Sequence, residues 1–174
     1  TKTLIATNAI SLTWLYVAVR KVNRHFTAHK IPLMGVLASF VFTAQLLAFP
    51  VIGGTSVHLT GAVLLAVILG PHSALVIMAT ILLLQALLFQ HGGVLTFGAN
   101  FLNLGIIGGM LGYVMYAARR SFGSATVAAF FTVILGGVMA ALELAFSGRL
   151  PLKAAVISMG GANIIAGIIE GFVT

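Results

Sequence analysis

Apolar residues fall along the chain in long runs separated by short polar or glycine-rich breaks, and the length of each run points to a helix. The first, about Leu4 to Val19, ends at Arg20, Lys21 and Arg24. The second begins at Pro32, a residue suited to a first helical turn, continues through Phe49 and stops at Pro50. Gly53-Gly54-Thr55-Ser56 can break one helix and cap another, which predicts a short third helix from about Thr55 to Leu69, closed by Gly70-Pro71. A fourth run, His72 to Gln90, is apolar apart from Gln85 and ends at His91-Gly92-Gly93. A segment through Thr96 leads to a fifth helix, about Ala99 to Ala118, with Asn100 and Asn103 near its start and Arg119-Arg120 after its end. The sixth run, Ser124 to Phe146, contains Gly136-Gly137 and Glu143. After Ser147-Gly148-Arg149 and Pro151 a seventh begins near Leu152 and is still apolar at Thr174, with no basic stop.

Composition turns these runs into membrane spans. Of 174 residues, 60% are hydrophobic and 6% charged, which excludes a soluble domain with an ordinary charged surface. A hydrocarbon core of ~30 Å needs roughly 20 helical residues to cross it. The predicted fold is therefore an all-α integral membrane protein, a single polytopic domain over residues 1–174 forming a compact bundle of about seven transmembrane helices. Gly105-x3-Gly109, Gly108-x3-Gly112, Gly136-x3-Ala140 and Gly137-x3-Ala141 are small-x3-small pairs that let helix backbones approach closely. With no cysteine, any metal must be held by nitrogen or oxygen.

The formal charge of +7 comes from nine Lys and Arg against Glu143 and Glu170. The cations sit in small groups between apolar runs instead of forming a continuous stripe, so they read as topology determinants and not as a nucleic-acid surface. If the N-terminus is outside, the cytoplasmic loops hold Arg20, Lys21, Arg24, Lys30, Arg119 and Arg120 and the outer side holds Lys2, Arg149 and Lys153, a split that favours this orientation. The polar clusters at Gly53-Ser56, His91-Asn103 and Glu143-Arg149 then share the outer face.

Ionisable and imidazole groups inside a membrane are costly and are therefore candidates for function. On the predicted short helix, His58 has Thr55 three residues before it and Gly61 three after, on one face; a ligand and an interhelical hydrogen bonder are both open readings. His91 lies in a Gln-His-Gly-Gly turn, where an exposed imidazole needs no special role. His25, His29 and His72 fall on the basic side. Glu143 needs a partner, for which His58, a buried amide such as Gln85, and Arg149 are candidates. Asn100 and Asn103 share a face and could brace a loop over the mouth. No P-loop or acidic pair for nucleotide-bound magnesium is present, so energy for any transport must come from elsewhere. Ser56 and His58, two apart on a helix, would point roughly 200° apart, which argues against a nucleophile pair.

The string Gly53-Gly54-Thr55-Ser56-Val57-His58-Leu59-Thr60-Gly61-Ala62, with Leu69-Gly70-Pro71, Gln85-Ala86-Leu87-Leu88-Phe89, His91-Gly92-Gly93 and Gly98-Ala99-Asn100, resembles the CbiM/NikM family over about Pro32 to Glu170. These are the substrate-binding membrane subunits of energy-coupling factor transporters for cobalt and nickel. The resemblance implies seven helices and a metal site near the outer face, formed by an N-terminal Met-His segment and His58. Thr55, Ser56, Gln85, His91, Asn100, Asn103 and Glu143 are expected around it or in a lid over it. It further implies Ni(II) or Co(II) as cargo with no resident cofactor, and no enzymatic activity of the chain's own. The implied partners are a transmembrane coupling subunit, two ABC-type ATPases and a small accessory membrane subunit, in a prokaryotic inner or plasma membrane. The chain begins Thr1-Lys2-Thr3-Leu4, and a protein starting there is expected to keep the fold and lose most of its metal affinity. Asn163 stands where a histidine would be expected, which leaves the role of the last helix open. The competing readings are a vitamin-binding subunit of the same transporter class, an intramembrane metalloenzyme using His58 and Glu143, and a proton-coupled carrier using Glu143 or Glu170.

Overall fold

The computed structural model describes residues 2–24, 28–51, 55–89, 93–149 and 151–174. The apolar runs form seven helices: α1 (Lys2–Arg24), α2 (Ile31–Leu46), α3 (Ala62–Leu69), α4 (Pro71–Leu88), α5 (Val94–Ala117), α6 (Phe122–Phe146) and α7 (Leu152–Val173). Five of them, α1, α4, α5, α6 and α7, are long and apolar enough to cross a membrane. The other two are shorter: α2 has 16 residues and α3 only 8, or about 12 Å of rise. Proline starts α4 at its first turn, and Ser121 caps α6 through a reciprocal exchange with Ser124.

The main departure from expectation lies between α2 and α3. No helix starts at Thr55. Instead β1 (Ala48–Val51) and β2 (Thr55–His58) pair antiparallel, with Val51 opposite Thr55 and Ala48 opposite His58. The three residues joining the strands include Gly53-Gly54, and a short glycine-containing connection between two such segments is a hairpin signal that competes with a helix cap. The shared helical face of Thr55, His58 and Gly61 therefore does not exist. The helical angle invoked against a Ser56–His58 pair does not apply either.

α5 is not uniform. A 3₁₀ turn at Val94–Thr96 and an α-helical turn at Phe97–Asn100 lead into a π-helical stretch, Phe101–Leu111, before α geometry returns at Gly112–Ala117. Gly112 N–H still reaches back five residues to the Ile107 carbonyl. Wide turns of this kind are rare and concentrate near functional sites.

Small residues set the packing. A Cβ on Gly108 would lie 2.8 Å from Ala62 Cβ, and one on Gly112 would lie 2.6 Å from a Val63 methyl, so α5 and α3 touch through glycine. Gly105 instead faces the Phe101 ring of its own helix. α6 and α7 pack along their length, with Gly167 against Phe130 and Gly171 against Thr126. Inside lie Ala18, Val41, Leu65, Leu75, Met78 and Phe101; Phe122, Phe146 and Phe172 point outward, as befits a multi-pass membrane protein with a lipid-facing surface.

α1 ties the N-terminal end of the bundle to the start of α5. Asn8 Nδ2 donates to the Leu95 carbonyl at 3.1 Å, Gly98 N–H donates to Asn8 Oδ1 at 3.1 Å, and the Ser11 hydroxyl donates to the Gly98 carbonyl at 2.6 Å. At the far end of α1, Lys21 and Arg24 meet Lys30 and His72 around a separate cavity of 440 Å³.

A polar cavity beside His58

The turn from β2 into α3 is built on Thr60 and Gly61. Gly61 has φ 66°, and a Cβ there would lie 2.6 and 2.7 Å from the two Val41 methyls, so only glycine closes the turn against α2. Thr60 is buried with every polar group engaged. Its N–H donates to Glu170 Oε2 and its hydroxyl to Glu170 Oε1, each at 2.7 Å. Its carbonyl accepts from Gln45 Nε2 at 2.7 Å. Gly61 N–H adds a bond to Glu170 Oε1 at 2.6 Å, and Gln85 Nε2 donates to Gln45 Oε1 at 2.9 Å. A hydrogen-bonded chain thus runs from α4 through α2 and the turn to α7. Satisfied buried networks of this kind hold one geometry.

His58, the last residue of β2, is half-buried two positions before Thr60, with Nδ1 3.4 Å from the Leu59 carbonyl oxygen. It lines a cavity of 340 Å³ bounded by α5, α6 and α7. Gly108, Gly136 and Gly137 line it where Ala62, the Asn103 backbone and Asn163 pack against them, and Asn100, Asn103 and Asn163 give it a polar wall. Asn103 Nδ2 donates to Glu143 Oε2 at 3.0 Å, while Asn103 Oδ1 and Glu143 Oε1 are buried with no hydrogen-bond partner among the described residues. Asn163 donates to the Met159 carbonyl of its own helix at 2.7 Å and packs against Gly137.

The structure thus brings His58, Asn100 and Asn103 to one cavity, with Glu143 attached through Asn103. The partner of Glu143 is a buried amide, as one of the expected alternatives had it, but that of Asn103 and not of Gln85. Gln85 lies outside the cavity and acts on it through Gln45 and Thr60. Thr55 and Ser56 lie on the backbone of β2, and His91 falls outside the described residues. Glu170, Gln45, Thr60 and Asn163 were not expected at the site. For Glu170 the available signal was a carboxylate in an apolar run without a nearby basic residue in sequence; its partners are two main-chain amides and one hydroxyl about 110 residues away. Among the described residues no group of three or more His, Asp or Glu gathers around a common point.

The chain matches, over residues 1–174, the family model described as CbiM, cobalt uptake substrate-specific transmembrane region. It is 31% identical to the fused nickel transport protein NikMN of Rhodobacter capsulatus, covering 99% of this chain and 56% of that protein. It is 35% identical to the cobalt transport protein CbiM of Anoxybacillus flavithermus, covering 66% of this chain and 48% of that protein, so it spans about half the length of each. A crystal structure of a truncated transition metal transporter superposes with a TM-score of 0.91 at 31% identity, covering 99% of this chain and 89% of that one. Matched from end to end by the family model and in fold by a solved transporter, the chain belongs to the CbiM family of cobalt uptake substrate-specific transmembrane regions.

Proposed function

We propose that this chain captures Ni(II) or Co(II) at the outer face of a prokaryotic inner or plasma membrane, as the substrate-binding subunit of an energy-coupling factor importer. The observation that carries the reading is His58, presented by a braced strand end to a cavity with an asparagine-lined wall inside a bundle of this family. A single imidazole cannot hold a transition ion against water, so further nitrogen ligands are required. The family resemblance supplies them as an N-terminal Met-His segment. The bonds of Asn8 and Ser11 support this, because they set the N-terminal end of α1 beside the start of α5, which lines the same cavity. Nitrogen-rich coordination suits both Ni(II) and Co(II).

With no nucleotide motif of its own, the chain would draw energy from two partner ATPases through a transmembrane coupling subunit. A small accessory membrane subunit is a further expected partner, and the fusion in the name of the Rhodobacter relative supports one. The test is calorimetric titration of Ni(II) and Co(II) into the intact protein beside His58→Ala. Tight binding by the first and its loss in the second supports the assignment, and the ratio of the two affinities names the cargo. No binding by the intact protein returns His58 to the role of a structural hydrogen bonder at the end of β2.

A further inference from the structure

We infer that Glu170 is the positioning residue for the metal ligand His58, an inference that rests on the reading of His58 as a ligand. Glu170 is 1% exposed, and its carboxylate meets the Thr60 N–H, the Thr60 hydroxyl and the Gly61 N–H at 2.6 to 2.7 Å. An anion inside a bundle is costly unless its oxygens are met by donors, and here three donors from two consecutive residues meet it. Gly61 is the N-cap of α3. Glu170 therefore does for α3, from a helix about 110 residues away, what a glutamate at the third helical position does in a capping box: it accepts the N-cap amide.

The consequence for the site follows from sequence distance. Thr60 and Gly61 immediately follow His58-Leu59. Fixing their backbone from α7, with Gln45 of α2 holding the Thr60 carbonyl from the other side, fixes how β2 ends and so where the imidazole sits against the cavity. Without the carboxylate the turn loses three bonds, and ordering His58 becomes part of the cost of binding metal. Glu170→Gln keeps the size of the side chain but replaces one acceptor with an amide NH₂ that cannot accept from Thr60 or Gly61. Thr60→Val removes the hydroxyl alone and leaves both amide donors in place.

The experiment compares the intact protein with Glu170→Gln and Thr60→Val, measuring Ni(II) affinity by calorimetry, the Ni(II) ligand-field absorption at saturation, and the melting temperature. Partners of metal ligands outside the coordination sphere are worth about 10- to 100-fold in affinity. The expected result is a loss of that order for Glu170→Gln and a smaller loss for Thr60→Val, with a shifted absorption band in the saturated Glu170→Gln protein. A variant that melts lower yet binds with the parent's affinity and spectrum overturns the inference, because the carboxylate would then serve stability alone. If Glu170→Gln fails to fold, unchanged affinity and spectrum in Thr60→Val overturns it. Absence of binding in the parent protein overturns the functional reading and this inference together, whereas binding in the parent with no response in the variants overturns this inference only.

Discussion

Asn103 on α5 donates a hydrogen bond to Glu143 on α6 at 3.0 Å, and Asn103 Oδ1 and Glu143 Oε1 are buried without a partner among the described residues. The two residues therefore depend on each other, since removing either leaves the other with no bond at all. Asn103→Leu is expected to lower stability by about 1–3 kcal/mol, the cost of stranding a buried acceptor. The double variant Asn103→Leu/Glu143→Leu should recover part of that loss, because it leaves neither polar group behind. Unfolding in detergent measures both, and strictly additive losses would show that the two side chains are energetically independent.

Metal capture by His58 should weaken in acid. The imidazole must be neutral to donate its lone pair, so a proton competes with the ion for the free protein and not for the complex. The apparent dissociation constant therefore rises as pH falls. Affinities measured across a pH series give the slope, and binding that stays flat into the acid range would mean that no imidazole is a ligand.

Gly61 meets two separate demands, a positive φ and the absence of a side chain against Val41. Gly61→Ala should lower stability by roughly 2–4 kcal/mol, combining left-handed strain with overpacking. Pairing it with Val41→Ala removes the steric part and leaves the backbone part. The double variant should thus be more stable than the sum of the single effects implies, with thermal unfolding as the measurement. A simple sum would place the whole cost in the backbone.

The helices were legible because lipid demands long apolar runs, and breaks such as Gly70-Pro71 and Ser147-Gly148-Arg149 mark their ends at almost the observed positions. The hairpin was not. Gly53-Gly54-Thr55-Ser56 serves equally as a helix cap and as part of a strand connection, and the local sequence does not decide between them. His58 was found as a residue but placed on the wrong element. Asn100, Asn103 and Glu143 stood out as polar groups in apolar surroundings, yet the Asn103–Glu143 bond joins two helices across 40 residues and has no local signature. Glu170 was visible only as a lone carboxylate. Two of its three donors are backbone amides, which every residue except proline carries, and the third is a hydroxyl 110 residues away, so no local pattern could point to them.

Thr60 has its carbonyl held from α2 and its amide and hydroxyl held from α7. Two helices are thereby joined through one residue that belongs to neither of them. Turning the whole bundle as a rigid body preserves both attachments, whereas spreading α2 away from α7 must sever at least one. A movement that keeps both attachments therefore carries the seat of His58 along unchanged.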